Sequence, residues 1–384
     1  MFSSCKPSNL EQTGVTELFQ PAPIDSFVYY PIKDSRIIVD LNNPQEVSFY
    51  DYFSHIELIP LETNNDVLVG FVNEIIHYHG RYYVFDKQQK MVIIFDEMGK
   101  FIFQINKRGR GPGEYIEIKD IFLNPFTECI DILDIGAVHS YDLSGKHVKT
   151  TRLINQDSPS SSLLQYPCSF IALNEKTYVF YSSIPQRSNS FPYKIDYYDI
   201  EKANVFHREY EVDNYLNTYW VAETMSPTRF YEYNGKFFFS YLVDNVTYEV
   251  GQESLIKAYT WDFGRHNYDA RNLNVVPGVK KILPYRIRFQ GQNNRYVIAC
   301  IHLQDDSDAL LIYDKYTNEC KFTKSIYVRL RHVSNEYVLF WVPHEWLKYL
   351  VSEEMLDETN RQIFKNLMNA KEEQNPIVIK YYFK

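Results

Sequence analysis

Tyr82-Tyr83-Val84-Phe85-Asp86 is followed by a polar break, Met91-Val92-Ile93-Ile94-Phe95-Asp96, the turn Glu97-Met98-Gly99-Lys100, and Phe101-Ile102-Phe103-Gln104-Ile105. Each apolar run is too short for a helix and rich in the aromatic and β-branched residues that suit a pleated surface. Tight polar turns separate the runs, so the stretch is an up-and-down meander of three strands. The unit recurs as Cys129-Ile130-Asp131-Ile132-Leu133-Asp134, Val138-His139-Ser140-Tyr141-Asp142, Leu143-Ser144-Gly145-Lys146 and His147-Val148-Lys149. Looser copies begin near Thr177, Lys236, Arg295 and Glu336. Anchored on Tyr82, Ile130, Tyr178, Phe237, Tyr296 and Tyr337, the mean step is about 51 residues, near the period of propeller blades. A sandwich rarely needs so many strands, and a solenoid would show a shorter, stricter repeat. The fold class expected is all-β, a six-bladed β-propeller.

The sixth unit is short of strands. It offers the run from Tyr337 to Val342 and, after an interruption, Pro376-Ile377-Val378-Ile379-Lys380-Tyr381-Tyr382-Phe383. His55-Ile56-Glu57-Leu58-Ile59-Pro60-Leu61 precedes the first complete unit. Pairing the terminal segments in one sheet would close the ring and remove two exposed edges. The interruption, about residues 344–373, is the one helical stretch. Trp346, Leu347, Leu350, Val351, Met355, Ile363, Phe364, Leu367 and Met368 recur at spacings of three and four, and the stripe should pack on the propeller. The domain reading is a tether and extended lead-in over residues 1–50, then one propeller over 51–384.

Across 384 residues the formal net charge is −9, which argues against a dedicated nucleic-acid binder. No run of 18 apolar residues is present to form a transmembrane helix. Tyr 33, Phe 26 and Trp 4 make 16% of the chain aromatic. Tyr82, Phe85, Phe95, Tyr141, Tyr178, Phe238, Tyr296, Tyr313 and Tyr337 fall at repeating strand positions, where wide side chains can fill the wedge between blades. Cys129, Cys168, Cys300 and Cys320 form no CxxC pair and are expected to be buried thiols.

Signatures of chemistry are sparse. No GxSxG is present. His77 and His79 would share one face of a strand, but no third zinc ligand is named by the sequence. Asp305-Asp306-Ser307-Asp308 carries calcium-type oxygens yet lies where a hairpin loop is expected. The loop Asn106-Lys107-Arg108-Gly109-Arg110-Gly111-Pro112-Gly113-Glu114-Tyr115 has alternate glycines that could aim successive amides at an anion, with Arg108 and Arg110 adding charge. It lacks both nucleotide-loop patterns, so a sharp blade-to-blade connection is the preferred reading and an anion site built on Arg108, Gly109, Arg110, Gly111 and Gly113 the sharper one.

Set after Phe103-Gln104-Ile105, this loop resembles the inter-blade signature of NHL-type repeats, although it does not recur after the second unit. With Ile56-Glu57-Leu58-Ile59-Pro60-Leu61-Glu62-Thr63, Asp244-Asn245-Val246-Thr247-Tyr248-Glu249-Val250, Trp261-Asp262-Phe263-Gly264 and Asn375-Pro376-Ile377-Val378-Ile379, the chain more closely resembles the six-bladed β-propeller family of bacterial lipoproteins. Ser3-Ser4-Cys5, followed by a polar linker, resembles the end of a lipoprotein signal peptide. The resemblance implies lipidation at Cys5 and residence in the bacterial cell envelope at the outer membrane, with periplasmic and surface faces both open. It implies no reaction, and fold alone does not supply one.

The function expected is therefore a non-enzymatic, envelope-anchored propeller binding a glycan, peptide or protein partner through its central channel or face loops. No cofactor, resident metal or nucleic-acid partner is expected, and membrane contact only through the lipid. Channel candidates are Glu74, Lys119, Asp120, Arg229, Tyr231, Tyr285, Arg286, Arg288 and Arg331, since arginines beside tyrosines can stack rings and pair with carboxylates. One alternative is a metal-dependent hydrolase or lyase with an axial ion on Glu74 and Asp120. Another is a scaffold subunit of an envelope complex, using the helix over 346–368 and Tyr215-Leu216-Asn217-Thr218-Tyr219-Trp220.

Overall fold

The computed structural model describes residues 31–43, 48–64, 67–153, 167–182, 193–211, 230–241, 244–267, 285–303, 305, 307–324, 330–370 and 374–384. Two strands, β1 (Arg36–Ile38) and β2 (Phe53–Pro60), precede the first complete blade. Blade one is β3 (Val72–Tyr78), β4 (Arg81–Asp86), β5 (Met91–Asp96) and β6 (Phe101–Ile105). Blade two is β7 (Asp120–Asn124), β8 (Cys129–Asp134), β9 (Ala137–Asp142) and β10 (His147–Arg152). Blade three is β11 (Pro167–Ala172), β12 (Thr177–Ser182), β13 (Tyr193–Asp199) and β14 (Asn204–Glu211). Blade four holds β15 (Phe230–Tyr233), β16 (Lys236–Ser240), β17 (Val246–Val250) and β18 (Leu255–Asp262). Blade five is β19 (Tyr285–Gln292), β20 (Tyr296–Leu303), β21 (Asp308–Asp314) and β22 (Glu319–Lys324). Blade six is β23 (Leu330–Val333), β24 (Tyr337–Val342), β25 (Ile377–Phe383) and, outermost, β2.

The protein is thus the expected six-bladed propeller, and all six sequence anchors fall on the second strand of their blade. The seam is the expected one as well. β25 lies between β24 and β2, with Ile379 opposite both Phe340 and Leu58. One contribution from the amino-terminal side was not legible. Within the span read as tether, β1 adds in parallel to β18 as a fifth strand of blade four, setting Ile37 opposite Trp261, both fully buried. A short 3-10 turn over Phe49–Tyr52, capped reciprocally by Ser48 and Asp51, buries Phe49 against Phe53, Phe340 and Tyr381.

The helical stretch is broken rather than continuous. It contains α1 (Leu347–Leu350) and α2 (Glu358–Met368), flanked by 3-10 turns. Asp357 caps α2 by accepting from the Asn360 amide. Leu347, Leu350, Leu356, Phe364 and Leu367 join Ile56, Leu58 and Phe340 in one core, so the apolar stripe packs on the propeller. The Asn360 side-chain oxygen accepts from the Leu58 amide at 2.8 Å, so α2 also caps part of the outer edge of β2. No helix among the described residues is long and apolar enough to cross a membrane.

A chain ending at residue 375 would lose β25, including Ile377, Val378 and Ile379, each fully buried. Burial of such side chains stabilises by about 1.5–3 kcal/mol apiece, against a usual total of about 5–15 kcal/mol. This truncation is expected to abolish the cooperative thermal transition followed by circular dichroism. Asn360→Ala, which strips the Leu58 amide of its acceptor, is expected to cost about 1–3 kcal/mol in urea unfolding while leaving the transition cooperative.

Candidate functional site in the central channel

The first strands of the six blades, β3, β7, β11, β15, β19 and β23, surround an axial cavity of about 220 Å³. In four of them the pairing with the second strand slips by one residue, leaving Asn73, Cys168, Arg288 and Arg331 as the extra residues of β-bulges. A bulge re-aims the side chains around it and is common beside functional sites. Register places Glu74 opposite Phe85, Asp120 opposite Leu133, Ser169 opposite Tyr181, and Arg331 beside the Phe340 and Leu339 pairs. Counted from the anchors on the second strands, these are equivalent levels. Arg331, Glu74, Asp120 and Ser169 therefore form one polar layer across blades six, one, two and three. Phe122, Phe170, Phe230, Tyr231 and Phe289 supply much of the remaining wall.

The electrostatics of this layer are unusual for a core. Burial raises the Glu74 carboxyl well above the usual carboxylate range, and repulsion from Asp120 adds to it, while Arg331 pulls the other way. Burial pushes Asp120 up to about 7, opposed by hydrogen bonds from the Ser169 hydroxyl and the Phe170 and Ile121 amides. The Phe170 amide donates to Asp120 Oδ2 at 3.0 Å. Asp120 is thus furnished with donors. Glu74 Oε2, by contrast, is buried with no hydrogen-bond partner among the described residues. Burial also depresses His332 to about 4. His77 falls to about 4 through burial and then the Lys380 and His332 charges, and its Nδ1 meets the Tyr337 hydroxyl at 2.7 Å. Glu232 is raised by burial and accepts from the Gly235 amide at 2.6 Å.

Of the nine channel candidates, Glu74, Asp120, Tyr231 and Arg331 line the cavity. Of the other described candidates, Lys119, Tyr285 and Arg286 do not line it, and Arg288 lines a small adjoining pocket with Tyr231. Lys119 is turned to Glu117 at 2.8 Å, with its side chain partly exposed. Tyr285 is buried between blades four and five, its ring against Phe263. Arg286 lies on β19 outside the cavity wall, and Arg288 pairs with Asp308 at 3.3 Å. Arg229, Cys5 and residues 215–220 lie outside the described residues.

The glycine loop already holds an anion of its own. Glu114 Oε2 accepts from the Gly111 amide at 2.7 Å, and a Cβ on Gly109 would collide with this carboxylate. Gly109 donates its amide to Tyr115, and Gly113 sits at φ +73° against the His147 ring. Two of the amides expected to greet an external anion, those of Gly109 and Gly111, are thus engaged within the loop. His77 and His79 do not share a strand face, because His79 turns the β3–β4 hairpin at φ +51°. Asp305 accepts from the Ser307 amide in a turn, whereas Asp308 begins β21 and meets His302 at 2.8 Å. Among the described residues no group of three His, Cys, Asp or Glu side chains is placed to hold a metal ion.

Ser169, Glu232, His332 and the phenylalanine wall complete the site beyond the channel candidates, as does His77, which the sequence offers only as half of a zinc pair. His332 adjoins a chosen arginine, and Glu232 follows a chosen tyrosine, so both were one step away.

A carboxyl group held above its unfolded value binds a proton more tightly in the folded state. Its contribution is complete below the unfolded value, near pH 4, and is lost as pH rises through the folded value. Glu74→Gln removes both the charge and its repulsion of Asp120. The variant is expected to be more stable than the parent by about 1–2 kcal/mol at pH 8, with the difference shrinking toward pH 4, as read from urea unfolding across that range.

Comparisons agree with this architecture. A candidate exported protein of Bacteroides fragilis superposes with a TM-score of 0.69 at 17% identity, over 91% of this chain and 99% of its own. A DUF4221 family member of Bacteroides vulgatus gives a TM-score of 0.51 at 11% identity, over 86% and 98%. At these identities the likeness concerns the fold. No curated protein sequence matches the chain. A family model does match, over residues 35–382, and the chain belongs to that family, DUF4934, a domain of unknown function.

Proposed function

We propose that this DUF4934 member is an exported binding protein of the bacterial envelope, which engages a glycan or peptide group in the axial cavity of its propeller. The observation that carries the reading is Glu74: a buried carboxyl with an oxygen lacking a partner among the described residues, in a layer with Asp120 and Arg331, facing the axial cavity. A layer that holds like charges together costs stability, and such arrangements concentrate where a ligand completes them. The aromatic wall supports ring stacking, and Arg331 supports pairing with an acidic or carbonyl group. The axial-ion hydrolase would need three or four oxygen ligands, and the layer supplies two carboxylates.

Export is supported by the sequence around Cys5 and by likeness in fold to a candidate exported protein. Anchoring through a lipidated Cys5 belongs to the same proposal. Cys5→Ser, introduced at the native locus of the source bacterium, is expected to shift the protein from the membrane to the soluble fraction. Unchanged fractionation and no incorporation of labelled fatty acid into the parent would reject the anchor.

Binding is tested on glycan and peptide arrays with the purified full chain. Arg331→Met and Tyr231→Leu are each expected to weaken the captured ligand at least tenfold. If both variants keep the parental thermal transition and the parental binding, the cavity is not the site.

A further inference from the structure

We propose that the axial cavity recognises a primary ammonium group on a sugar-sized or amino-acid-sized body, seated between Glu74 and Asp120. The inference rests on the reading of the cavity as the binding site and names the chemistry of its occupant. Three features converge on it. The first is charge balance in the polar layer, where two carboxyl groups face one guanidinium, so one negative charge has no counterpart in the layer when both ionise. The second is hydrogen bonding. Asp120 takes donors from Ser169, Phe170 and Ile121, whereas Glu74 Oε2 has none among the described residues. Once Glu74 is ionised, what is missing at that oxygen is a donor, and a charged donor would also supply the positive charge that the lost proton leaves uncompensated. The third is the wall, where Phe122, Phe230 and Phe289 present rings that favour an organic cation over a hydrated metal ion. At about 30 Å³ per water molecule, 220 Å³ is room for on the order of seven waters, enough for one ring or short side chain.

A divalent ion fits less well. Calcium takes six to eight oxygens, and a guanidinium in the same layer repels a second unit of charge. A neutral hydroxyl could fill the vacant acceptor without balancing the charge.

The other titratable groups facing the layer do not mask the effect. From β23, Arg331 stays charged, while His332 beside it and His77 on β3 are neutral at and above pH 6. From β15, Tyr231 is raised by burial and stays protonated, and Glu232 is engaged by the Gly235 amide. The lining of β11 and β19 is Ser169, Phe170, Ile171, Phe289 and Gly291, none of which titrates. In the empty site the carboxyl pair retains a proton near neutrality; an ammonium replaces it. Binding should then release up to one proton, and affinity should climb up to tenfold per pH unit until the pair is ionised.

The experiment compares cyclohexylamine, cyclohexanol and cyclohexanecarboxylate by calorimetry on the full chain at pH 6, 7 and 8, in two buffers of different ionisation enthalpy. The amine remains protonated throughout. The expected result is amine binding at least tenfold tighter than the alcohol, no carboxylate binding, tighter amine binding at pH 8 than at pH 6, and proton release. Glu74→Gln should weaken the amine at least tenfold and flatten its pH profile; Asp120→Asn should do the same if folded, and the parental pH profile stands as the test if it is not. Alcohol or carboxylate binding as tight as the amine, lost in Tyr231→Leu, overturns the ammonium inference while keeping the cavity as a binding site. Amine binding that Glu74→Gln leaves intact overturns it as well. If none of the three compounds binds, the ammonium inference falls, and the array experiment decides separately whether the cavity binds anything.

Discussion

Contact between neighbouring blades is the constraint on which everything else in this protein depends. A four-stranded sheet has two faces to bury and cannot do so alone; arranged around an axis, each blade covers its neighbours. Among the described residues the buried apolar side chains fall into six clusters, and each spans one junction between blades. Blades splay apart with distance from the axis, so the junctions need wide side chains. Tyr82 and Phe95 fill the junction of blades six and one, Tyr83, Phe85 and Tyr141 the next, and Trp261 with Tyr285 and Tyr313 that of blades four and five. Several of these rings also tie the junction through their polar atoms. Tyr178 donates to Asp131 at 2.7 Å between blades three and two, and Trp261 to Gln290 at 2.8 Å between blades four and five. Aromatic residues serve this geometry because they combine breadth with a polar handle.

The same ring forces six first strands together at the axis. Their outward faces are committed to the junctions, and their inward side chains meet one another across a small space. Apolar residues could have closed it. Instead, two carboxyl groups, a guanidinium and a hydroxyl occupy one level, and one carboxyl oxygen is left without a donor among the described residues. The rigidity of the ring makes this possible. Blades that are already buried against each other hold like charges in proximity that a loose structure would relax.

The division between what was legible and what was not follows from range of interaction. Strand runs, turns and their period depend on near neighbours in sequence, so the six blades, the seam through Ile377–Phe383 and the aromatic packing were readable. Phe238 stacks on Tyr231 of its own blade, and the Tyr231 hydroxyl reaches Gln292 of blade five. The polar layer was only partly readable, because two variations hide its alignment. The hairpin between first and second strands has two residues after Tyr78 but four after Asn124, and the inner-strand bulges shift the count by one more. Glu74, Asp120 and Ser169 therefore stand at different distances from their anchors although they share a level. Lys119 and Arg286 fell on the wrong side of this uncertainty. The strand Arg36–Ile38 was hidden for another reason: three residues carry no periodicity, and its partner lies more than two hundred positions away.

That short strand changes how the chain would respond to tension. Passing from the amino-terminal side, the backbone clips to blade four before it reaches blade six, where it supplies the outermost strand of the seam. A pull applied from that side reaches the parallel pair of Ile37 and Trp261 first, backed by the ion pair of Arg36 with Asp262. The arrangement is that of a cable clamp: a tug on the lead is taken up at a point distant from the joint that closes the ring.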